Sequence, residues 1–244
     1  QRVRELKEAG FNAIKFCLVV PPDYVLDICD RMGIYCYIQY PIWEPTESED
    51  FFTRCYLQIP ELVEKDRNHP SVIMSDFACE LPAFSTEMDA FMKYMVEKAK
   101  QLDPNRLYAD NSSTGTNKYG DFRTTHPYVG VNEFDDVIDR WARARGNYPL
   151  VLGEYADSRA MSNRDEILEA CGGAPWWWTT AGTPPDAYAA FEALGFTKEE
   201  IDQFKEASYL SSLEAKRAYI EDSKKNSSVA ALFLTQLVDI KHNS

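Results

Sequence analysis

The chain has 244 residues, 39 of them acidic and 26 basic, which gives a formal net charge of −13. This charge would repel a phosphate backbone, and no basic cluster acts locally against it, so nucleic acid is excluded as an expected partner. The apolar runs are broken by charges and stay well below the roughly 20 residues of a membrane helix, so we expect no membrane association. The length suits one large α/β domain with a substantial core.

Residues 1–7 have the pattern of a helix interior and lack the apolar core of a signal peptide. We therefore expect the natural protein to begin upstream of Gln1. Neither this feature nor the cysteine content decides the compartment, and a periplasmic or secreted location stays open. The six cysteines lack the paired spacing of a metal site and are expected to be buried free thiols in preference to a disulfide framework: Cys17, Cys29, Cys36, Cys55, Cys79 and Cys171.

Strand and helix patterns alternate along the chain. Short apolar runs predict buried strands, and apolar residues at helical spacing predict the helices between them. One helix begins after Pro21 and ends at Gly33, and Pro60 should break or kink the next one. The predicted strands cover 12–16, 34–39, 72–77, 107–109, 124–128, 150–153 and 229–234, and the predicted helices lie within 22–33, 51–65, 88–99, 134–141 and 201–219.

Seven strands separated by helices predict a parallel sheet with helices on its outside. The chain has neither a Gly-x-Gly-x-x-Gly loop nor a Walker loop, so we expect no nucleotide site. Polar residues instead follow several strands, as in a TIM (β/α)8 barrel, where the strand ends converge on one catalytic face. We predict this barrel, with its first strand missing from the chain and expected immediately before Gln1.

Two stretches combine a buried strand with a carboxylate at its end. One covers 66–74 and is followed by Glu80, and the other covers 149–155 and contains Glu154. Retaining glycosidases hold two carboxyl groups roughly 5 to 5.5 Å apart, and the fourth and seventh strands of a closed barrel can bring their ends that close. The pair therefore indicates cleavage of a glycosidic bond, and the alternative is two ordinary surface glutamates.

The segment 66–74 together with Glu80 resembles the acid/base signature of glycoside hydrolase family 2, the family of β-galactosidases, β-glucuronidases and β-mannosidases. Further resemblances follow the same chain order and cover nearly the whole sequence. They are a second family signature from Asn12 through Asp30-x-x-Gly33-Ile34, a nucleophile strand ending in Gly153-Glu154-Tyr155, and an eighth strand at 234–240.

This resemblance implies a retaining, exo-type β-glycosidase in which Glu154 is the nucleophile of a covalent glycosyl-enzyme and Glu80 is the general acid/base. No cofactor is needed, and the three histidines are too few and too scattered for a metal site. Members of the family carry β-sandwich domains before the barrel. Residues 1–244 are therefore expected to be a single catalytic barrel domain of a larger glycosidase whose partner is a carbohydrate.

The resemblance also implies residues that orient the nucleophile. Tyr155 follows Glu154, and His126 and Tyr128 end the preceding strand. In the family, such positions donate hydrogen bonds that keep the nucleophile ionised. A histidine before a proline can equally be a structural residue.

Sugar contacts are expected from polar and aromatic residues near strand ends. Asn12, Asp110 and Asn111 are candidate ligands of sugar hydroxyls, although Asn and Asp are also common in turns and caps. Trp177, in the run of three tryptophans at 176–178, is a candidate platform for the apolar face of a pyranose ring. Trp43 could serve in the same way or form a lid on the rim of the barrel.

The sequence departs from the family around the expected substrate. The asparagine that directly precedes the acid/base and bonds the sugar 2-hydroxyl is Cys79 here, and a thiol is a weaker partner. These changes favour altered specificity, and they leave open a catalytically weak or inactive barrel that binds glycans. Cys79 as a nucleophile has no activating histidine near it in the sequence. The other departures are Ser75 for Trp, Asp76 for a small residue, Lys15 for Arg, and Leu18-Val19 for His-Tyr.

Overall fold

The computed structural model describes residues 1–81, 84–112, 117–156, 160–175 and 187–235. The strands and helices predicted from local patterns are all present in these ranges, together with two helices that the sequence pattern does not predict, Arg164–Cys171 and Ala187–Ala193. Most of the eighth strand expected at 234–240 lies outside the described residues. The elements are α1 (Arg2–Glu8), β1 (Ala13–Phe16), α2 (Asp23–Met32), β2 (Tyr35–Gln39), α3 (Glu49–Asp66), β3 (Val72–Cys79), α4 (Thr86–Leu102), β4 (Leu107–Ser112), β5 (Arg123–Thr125), α5 (Val131–Ala144), β6 (Leu150–Tyr155), α6 (Arg164–Cys171), α7 (Ala187–Ala193), α8 (Lys198–Lys225) and β7 (Val229–Leu234).

The described strands form two sheets, one of four strands in the order β1-β2-β3-β4 and one of three in the order β5-β6-β7. Every pairing with a defined register is parallel, which confirms the predicted parallel α/β arrangement. In the described residues no ladder joins β4 to β5, so the seven strands do not close into a ring. Parallel strands of this kind place their carboxyl ends along one edge.

Two strands are longer than predicted. β3 continues to Cys79 and β4 to Ser112, and these two residues pair with each other. Asp110 and Asn111 therefore lie inside a buried strand instead of after it. β5 is shorter than predicted and ends at Thr125, so Tyr128 follows the strand.

Helices α2, α3 and α4 pack on one side of the four-stranded sheet and form its main core. Gly33 adopts the left-handed conformation at the end of α2, as predicted. Pro60 does not break α3, which runs from Glu49 to Asp66, and a kink at Pro60 stays a prediction. The buried Ile59 and Val63 anchor the helix in the core. The predicted apolar stripe of α4 is buried in full: Met88, Phe91, Met92, Met95, Val96 and Ala99.

A smaller core cluster lies on the other face of the strands. The ring of Tyr37 in β2 contacts Phe122, at 6.0 Å between centroids, and Phe233 in β7, at 5.2 Å. Met74, Ala109 and Val151 complete the buried set. Residues from several parallel strands thus fill a common layer, as they do inside a barrel.

By its internal contacts the chain divides into two compact units, each built from several sequence segments. The first contains 1–126, 140–154 and 227–233, and the second takes the remaining residues. In the second unit, the rings of Phe134 and Tyr219 meet at 4.7 Å, and the Tyr219 hydroxyl donates to the Val129 carbonyl at 2.7 Å. The single barrel domain expected over 1–244 stays a prediction.

The six cysteines are free thiols, as expected. Cys29, Cys36 and Cys79 are buried, but the prediction of burial is wrong for Cys17 and Cys171, which are exposed. Both lie where the chain leaves a regular element, and loops lie at the surface. Among the described helices, none has the length and apolar character needed to cross a membrane.

Candidate active site

Glu154 lies near the carboxyl end of β6, and its side chain is 16% exposed. Its Oε1 atom forms an ion pair with Lys15 Nζ at 3.1 Å, and the Lys15 side chain is only 5% exposed. Burial alone would lower the pKa of Lys15, but the charges of Glu154 and Asp76 raise it above its ordinary value. A permanent cation therefore faces the Glu154 carboxylate and favours its ionised form.

Glu80 follows β3 in the left-handed conformation, with φ of 55°. Its backbone N–H donates to the Ser112 carbonyl at 2.9 Å, which holds the residue against the end of β4. Its side chain is 39% exposed, and its Oε1 atom lies 2.8 Å from Nδ1 of His126. A non-glycine residue in this conformation is uncommon and is found preferentially at functional sites.

His126 links the two carboxyl groups. It follows β5, its side chain is 1% exposed, and the same Nδ1 atom that contacts Glu80 lies 3.7 Å from Glu154 Oε2. Gly153 makes this approach possible, because a Cβ atom there would lie 2.6 Å from Thr124 Oγ1 and 3.1 Å from His126 Nε2. The structure thus brings together four of the predicted site residues: Glu80, His126, Glu154 and Cys79.

Two thiols lie on the Glu154 side of this site. Cys17, just after β1, places its Sγ atom 3.0 Å from Gln39 Oε1 and 3.4 Å from Glu154 Oε1. A hydrogen bond with Cys17, together with burial, raises the pKa of the Cys79 thiol. A neutral thiol is a poor nucleophile, although His126 does lie within 4.8 Å of Cys79, a proximity that the sequence does not predict.

Asp76 lies beneath the site and is completely buried. Its Oδ2 atom accepts hydrogen bonds from the Tyr37 hydroxyl and from Gln39 Nε2, the latter at 3.3 Å. Burial raises its pKa to about 7, even though the nearby Lys15 charge acts in the opposite direction. The sequence marks Asp76 as unusual only because a small residue occupies this position in the family that the chain resembles.

Asp76 should make the stability of the protein depend on pH. The pKa of Asp76 in the folded chain lies above the ordinary aspartate value of 3.8, so the folded chain keeps a proton that the unfolded chain releases as the pH rises from about 4 to 7. The free energy of unfolding should therefore fall as the pH rises from about 4 to 7, because Asp76 must ionise in its buried position. Asp76→Asn should be more stable than the wild type by about 2–4 kcal/mol at pH 8 and by little at pH 4, since one pKa unit corresponds to about 1.4 kcal/mol.

Urea unfolding at both pH values measures this difference, and the exposed Asp50→Asn is the matched control. If Asp76→Asn and Asp50→Asn change the pH profile equally, Asp76 does not have the raised pKa.

The structure assigns Asp110 and Asn111 to scaffolding. Both are fully buried. The Asp110 carboxylate accepts from the backbone N–H groups of Lys118 and Tyr119, at 2.8 and 3.1 Å, and so fixes a turn. The Asn111 amide bonds both backbone groups of Leu81, directly after Glu80. These hydrogen bonds show a structural role for both side chains, and their contact with a sugar stays a prediction.

The contacts described for Asn12 and Tyr155 are with residues other than Glu80, His126 and Glu154. Asn12 precedes β1, and its carbonyl accepts from Tyr35 at the start of β2, so it belongs to the amino edge of the strands. Tyr155 is fully buried and contacts the ring of Phe134 at 6.1 Å within the second unit. Adjacent residues of a strand point to opposite faces, so its side chain does not share the face of Glu154. A role for either residue in the site therefore stays a prediction that these contacts do not support.

The three remaining aromatic residues predicted for the site are Trp43, Tyr128 and Trp177. Trp43 is 53% exposed in the loop after β2, and the preceding Ile42 accepts a hydrogen bond from Cys79 N at 2.9 Å, so this loop lies beside the end of β3. The Tyr128 hydroxyl bonds Thr235 Oγ1 at 3.1 Å within the second unit. Trp177 lies outside the described residues.

Three groups of side chains in the described part of the chain have metal-ligating atoms within 4.8 Å of one another. Two share Cys79 and lie in the site; the third is at the other end of the strands, where Asp30 already bonds the Ser71 N–H at 2.8 Å. The groups are Cys17 with Cys79 and Glu154, Cys79 with Glu80 and His126, and Asp27 with Asp30 and His69.

Comparison with known proteins relates this fold and site to one family. The family model described as Glycosyl hydrolases family 2, TIM barrel domain, matches residues 3–168. The chain is 21% identical over 191 residues to a β-glucuronidase of Bacteroides fragilis, covering 70% of this chain and 27% of that protein. It is 24% identical over 219 residues to a β-galactosidase of Alteromonas mediterranea, covering 79% and 21%. The chain thus spans about a quarter of the length of these curated relatives.

The solved structure of a β-glucuronidase from Ruminococcus gnavus in complex with D-glucuronic acid is also similar. The TM-score is 0.68, and the similarity covers 98% of this chain and 38% of that chain at 16% identity. At such low identity this likeness is evidence for the fold alone.

Proposed function

Since the chain belongs to the TIM barrel domain family of glycosyl hydrolases family 2, we propose that it cleaves β-linked glycosides with retention of configuration. Glu154 is the nucleophile and Glu80 the general acid/base. The chain spans only about a quarter of its curated relatives, so the proposed activity belongs to a longer protein, with β-sandwich domains before the barrel. The exo-type action proposed here rests on the family resemblance.

The contact of one imidazole nitrogen with both carboxyl groups carries this proposal. His126 Nδ1 lies 2.8 Å from Glu80 and 3.7 Å from Glu154, so the two oxygens are no farther apart than the sum of these distances. Retaining glycosidases hold their carboxyl groups roughly 5 to 5.5 Å apart, and inverting enzymes roughly 6.5 to 9.5 Å. The largest separation that these contacts allow reaches only the lower limit of the inverting range, so the geometry is compatible with retention.

The surroundings of the two glutamates support different roles. Glu154 faces the Lys15 cation in a nearly buried position, which suits a carboxylate that attacks the anomeric carbon. Glu80 is more exposed and can exchange protons with water. In the first step Glu154 bonds to the anomeric carbon while Glu80 protonates the departing oxygen; in the second, Glu80 takes a proton from a water that displaces Glu154.

Sugar contacts in this proposal come from residues at the same edge of the strands. His126 and Trp43 are the candidates, with Trp177 beyond the described ranges. Cys79 stands where the family bonds the sugar 2-hydroxyl, and a neutral thiol makes a weaker hydrogen bond than an amide. We therefore expect either slower turnover or a substrate whose 2-hydroxyl contributes less to transition-state binding.

Covalent trapping tests the proposal. A panel of 2-deoxy-2-fluoro glycosides with good leaving groups, in the gluco-, galacto-, manno- and glucurono- series, should add one sugar to the longest natural form of the protein. Peptide mass spectrometry should place the adduct on Glu154. The variant Glu154→Gln should stay unlabelled, whereas the exposed-site control Glu97→Gln should label normally. An adduct on a different carboxylate, or an inverted first product by NMR, contradicts the assignment.

One observation favours a second candidate, a barrel that binds glycans without cleaving them. The Cys79 thiol is held neutral by Cys17 and burial, at the position of a family residue that supports the transition state. Sugar binding by calorimetry, with neither turnover nor labelling for any member of the panel, would favour this candidate.

A further inference from the structure

The two thiols of the site converge on the proposed nucleophile. Cys17 and Cys79 come from strands that are not neighbours, β1 and β3, yet their Sγ atoms and a Glu154 carboxylate oxygen all lie within 4.8 Å of one another. Cys79 also lies within 4.8 Å of ligating atoms of Glu80 and His126. Cys79 therefore belongs to two overlapping groups of possible ligands, and only the group with Cys17 and Glu154 contains two sulfur atoms.

These distances suit a tetrahedral metal ion. Zinc bound to two thiolates at about 2.3 Å and to a carboxylate oxygen at about 2.0 Å would place the sulfurs about 3.8 Å apart and a sulfur and oxygen about 3.5 Å apart. The Cys17 Sγ to Glu154 Oε1 distance is 3.4 Å. Thiolate and imidazole ligands select Zn²⁺ and related thiophilic ions over Mg²⁺ or Ca²⁺.

We propose that Cys17, Cys79 and Glu154 form a three-ligand binding site for a thiophilic divalent cation such as Zn²⁺, with a solvent molecule in the fourth position. Cys17 is exposed, which gives the ion a route from solvent, while Cys79 is buried and supplies the inner ligand. The Asp27, Asp30 and His69 group has no thiol and does not have this preference.

The charges of the site are compatible with a bound cation. Binding releases the two thiol protons to solvent, and the resulting thiolates add two negative charges beside the Lys15 ammonium. Lys15 Nζ contacts Glu154 Oε1 at 3.1 Å and would then face an anionic ligand set. The Cys17 thiol gives up its contact with Gln39 Oε1, at 3.0 Å, when it binds the metal.

A bound cation would also control the proposed hydrolysis. An ion coordinated by Glu154 occupies the lone pairs that must attack the anomeric carbon, so it should block turnover reversibly. This consequence rests on the proposed function, whereas the metal site itself does not.

Cobalt(II) spectroscopy on the full-length protein, reduced with a phosphine that contains no thiol, tests the site directly. Stoichiometric Co²⁺ should produce thiolate-to-cobalt charge transfer in the near ultraviolet and intense visible bands of tetrahedral coordination, and one equivalent of Zn²⁺ should abolish both. Cys17→Ser and Cys79→Ser should each weaken Co²⁺ binding by roughly 100-fold or more. This loss is larger than the loss expected for a residue that only hydrogen-bonds a metal ligand. Cys171→Ser and His69→Ala should leave the spectra unchanged.

Octahedral, thiolate-free spectra, or spectra that Cys17→Ser does not alter, overturn the proposal. Cys17 is exposed, so its variant should fold even if Cys79→Ser does not. The two proposals fail separately: cobalt–thiolate bands in a protein that hydrolyses no glycoside would remove the proposed function and keep the metal site. Hydrolysis that Zn²⁺ does not inhibit, in a protein without cobalt–thiolate bands, would remove the metal site and keep the proposed function.

Discussion

Glu154→Gln should lower kcat/KM for an aryl β-glycoside by at least about 10⁴-fold, equivalent to roughly 5.4 kcal/mol of transition-state stabilisation. The amide keeps the size of the side chain but is too weak a nucleophile to form the glycosyl-enzyme. Steady-state kinetics on the cognate glycoside measure the loss. Rates within a few-fold of the wild type would remove Glu154 from the reaction.

The structure suggests how to separate this chemical effect from a folding defect. Glu154→Gln removes one of the charges facing Lys15, but Asp76 still raises the Lys15 pKa. We therefore expect a folded variant with a modestly lower Tm, measured by circular dichroism. Glu97→Gln makes the same chemical change at an exposed position of α4 and should affect neither activity nor Tm.

Glu80→Gln should slow hydrolysis by roughly 10²- to 10⁴-fold, the usual contribution of a general acid/base, and the loss should depend on the leaving group. A dinitrophenyl glycoside needs little protonation, so its glycosylation step should be nearly unaffected, whereas an alkyl glycoside should suffer the full loss. Plots of log(kcat/KM) against leaving-group pKa for both proteins measure this difference. Parallel lines would show that Glu80 does not protonate the leaving group.

The smaller variant Glu80→Ala offers an independent check of the same role. Azide needs no general base, so it should accelerate the second step with a dinitrophenyl glycoside and yield a β-glycosyl azide. The control Glu44→Ala removes a glutamate from the loop that carries Trp43, and it should show no azide rescue. A rescue equal in both variants would contradict the assignment of Glu80.

The sequence is sufficient for the order of the elements and for the two carboxylates. Strands and helices follow from local apolar patterns, so each strand predicted from these patterns appears in the structure. Glu80 and Glu154 are recognisable because each follows or ends a buried strand in a parallel α/β chain, where the carboxyl ends share an edge. Local patterns are less informative about polar residues, because the same residue types occur at strand ends, in turns and in buried hydrogen bonds, as Asp110 and Asn111 show.

The partners of these carboxylates were decided by the tertiary structure alone. Lys15 and Glu154 are 139 positions apart in the chain, and the thiol of Cys17 reaches the same carboxylate. No periodicity relates such residues; only the packing of β1, β3 and β6 determines that their side chains meet. The same packing buries Asp76 and raises its pKa to about 7, because desolvation depends on all the atoms around a group and not on its neighbours in sequence. The sequence by itself therefore determined the alternating fold and the pair of candidate carboxylates, and the tertiary structure decided which cation, imidazole and thiols surround them.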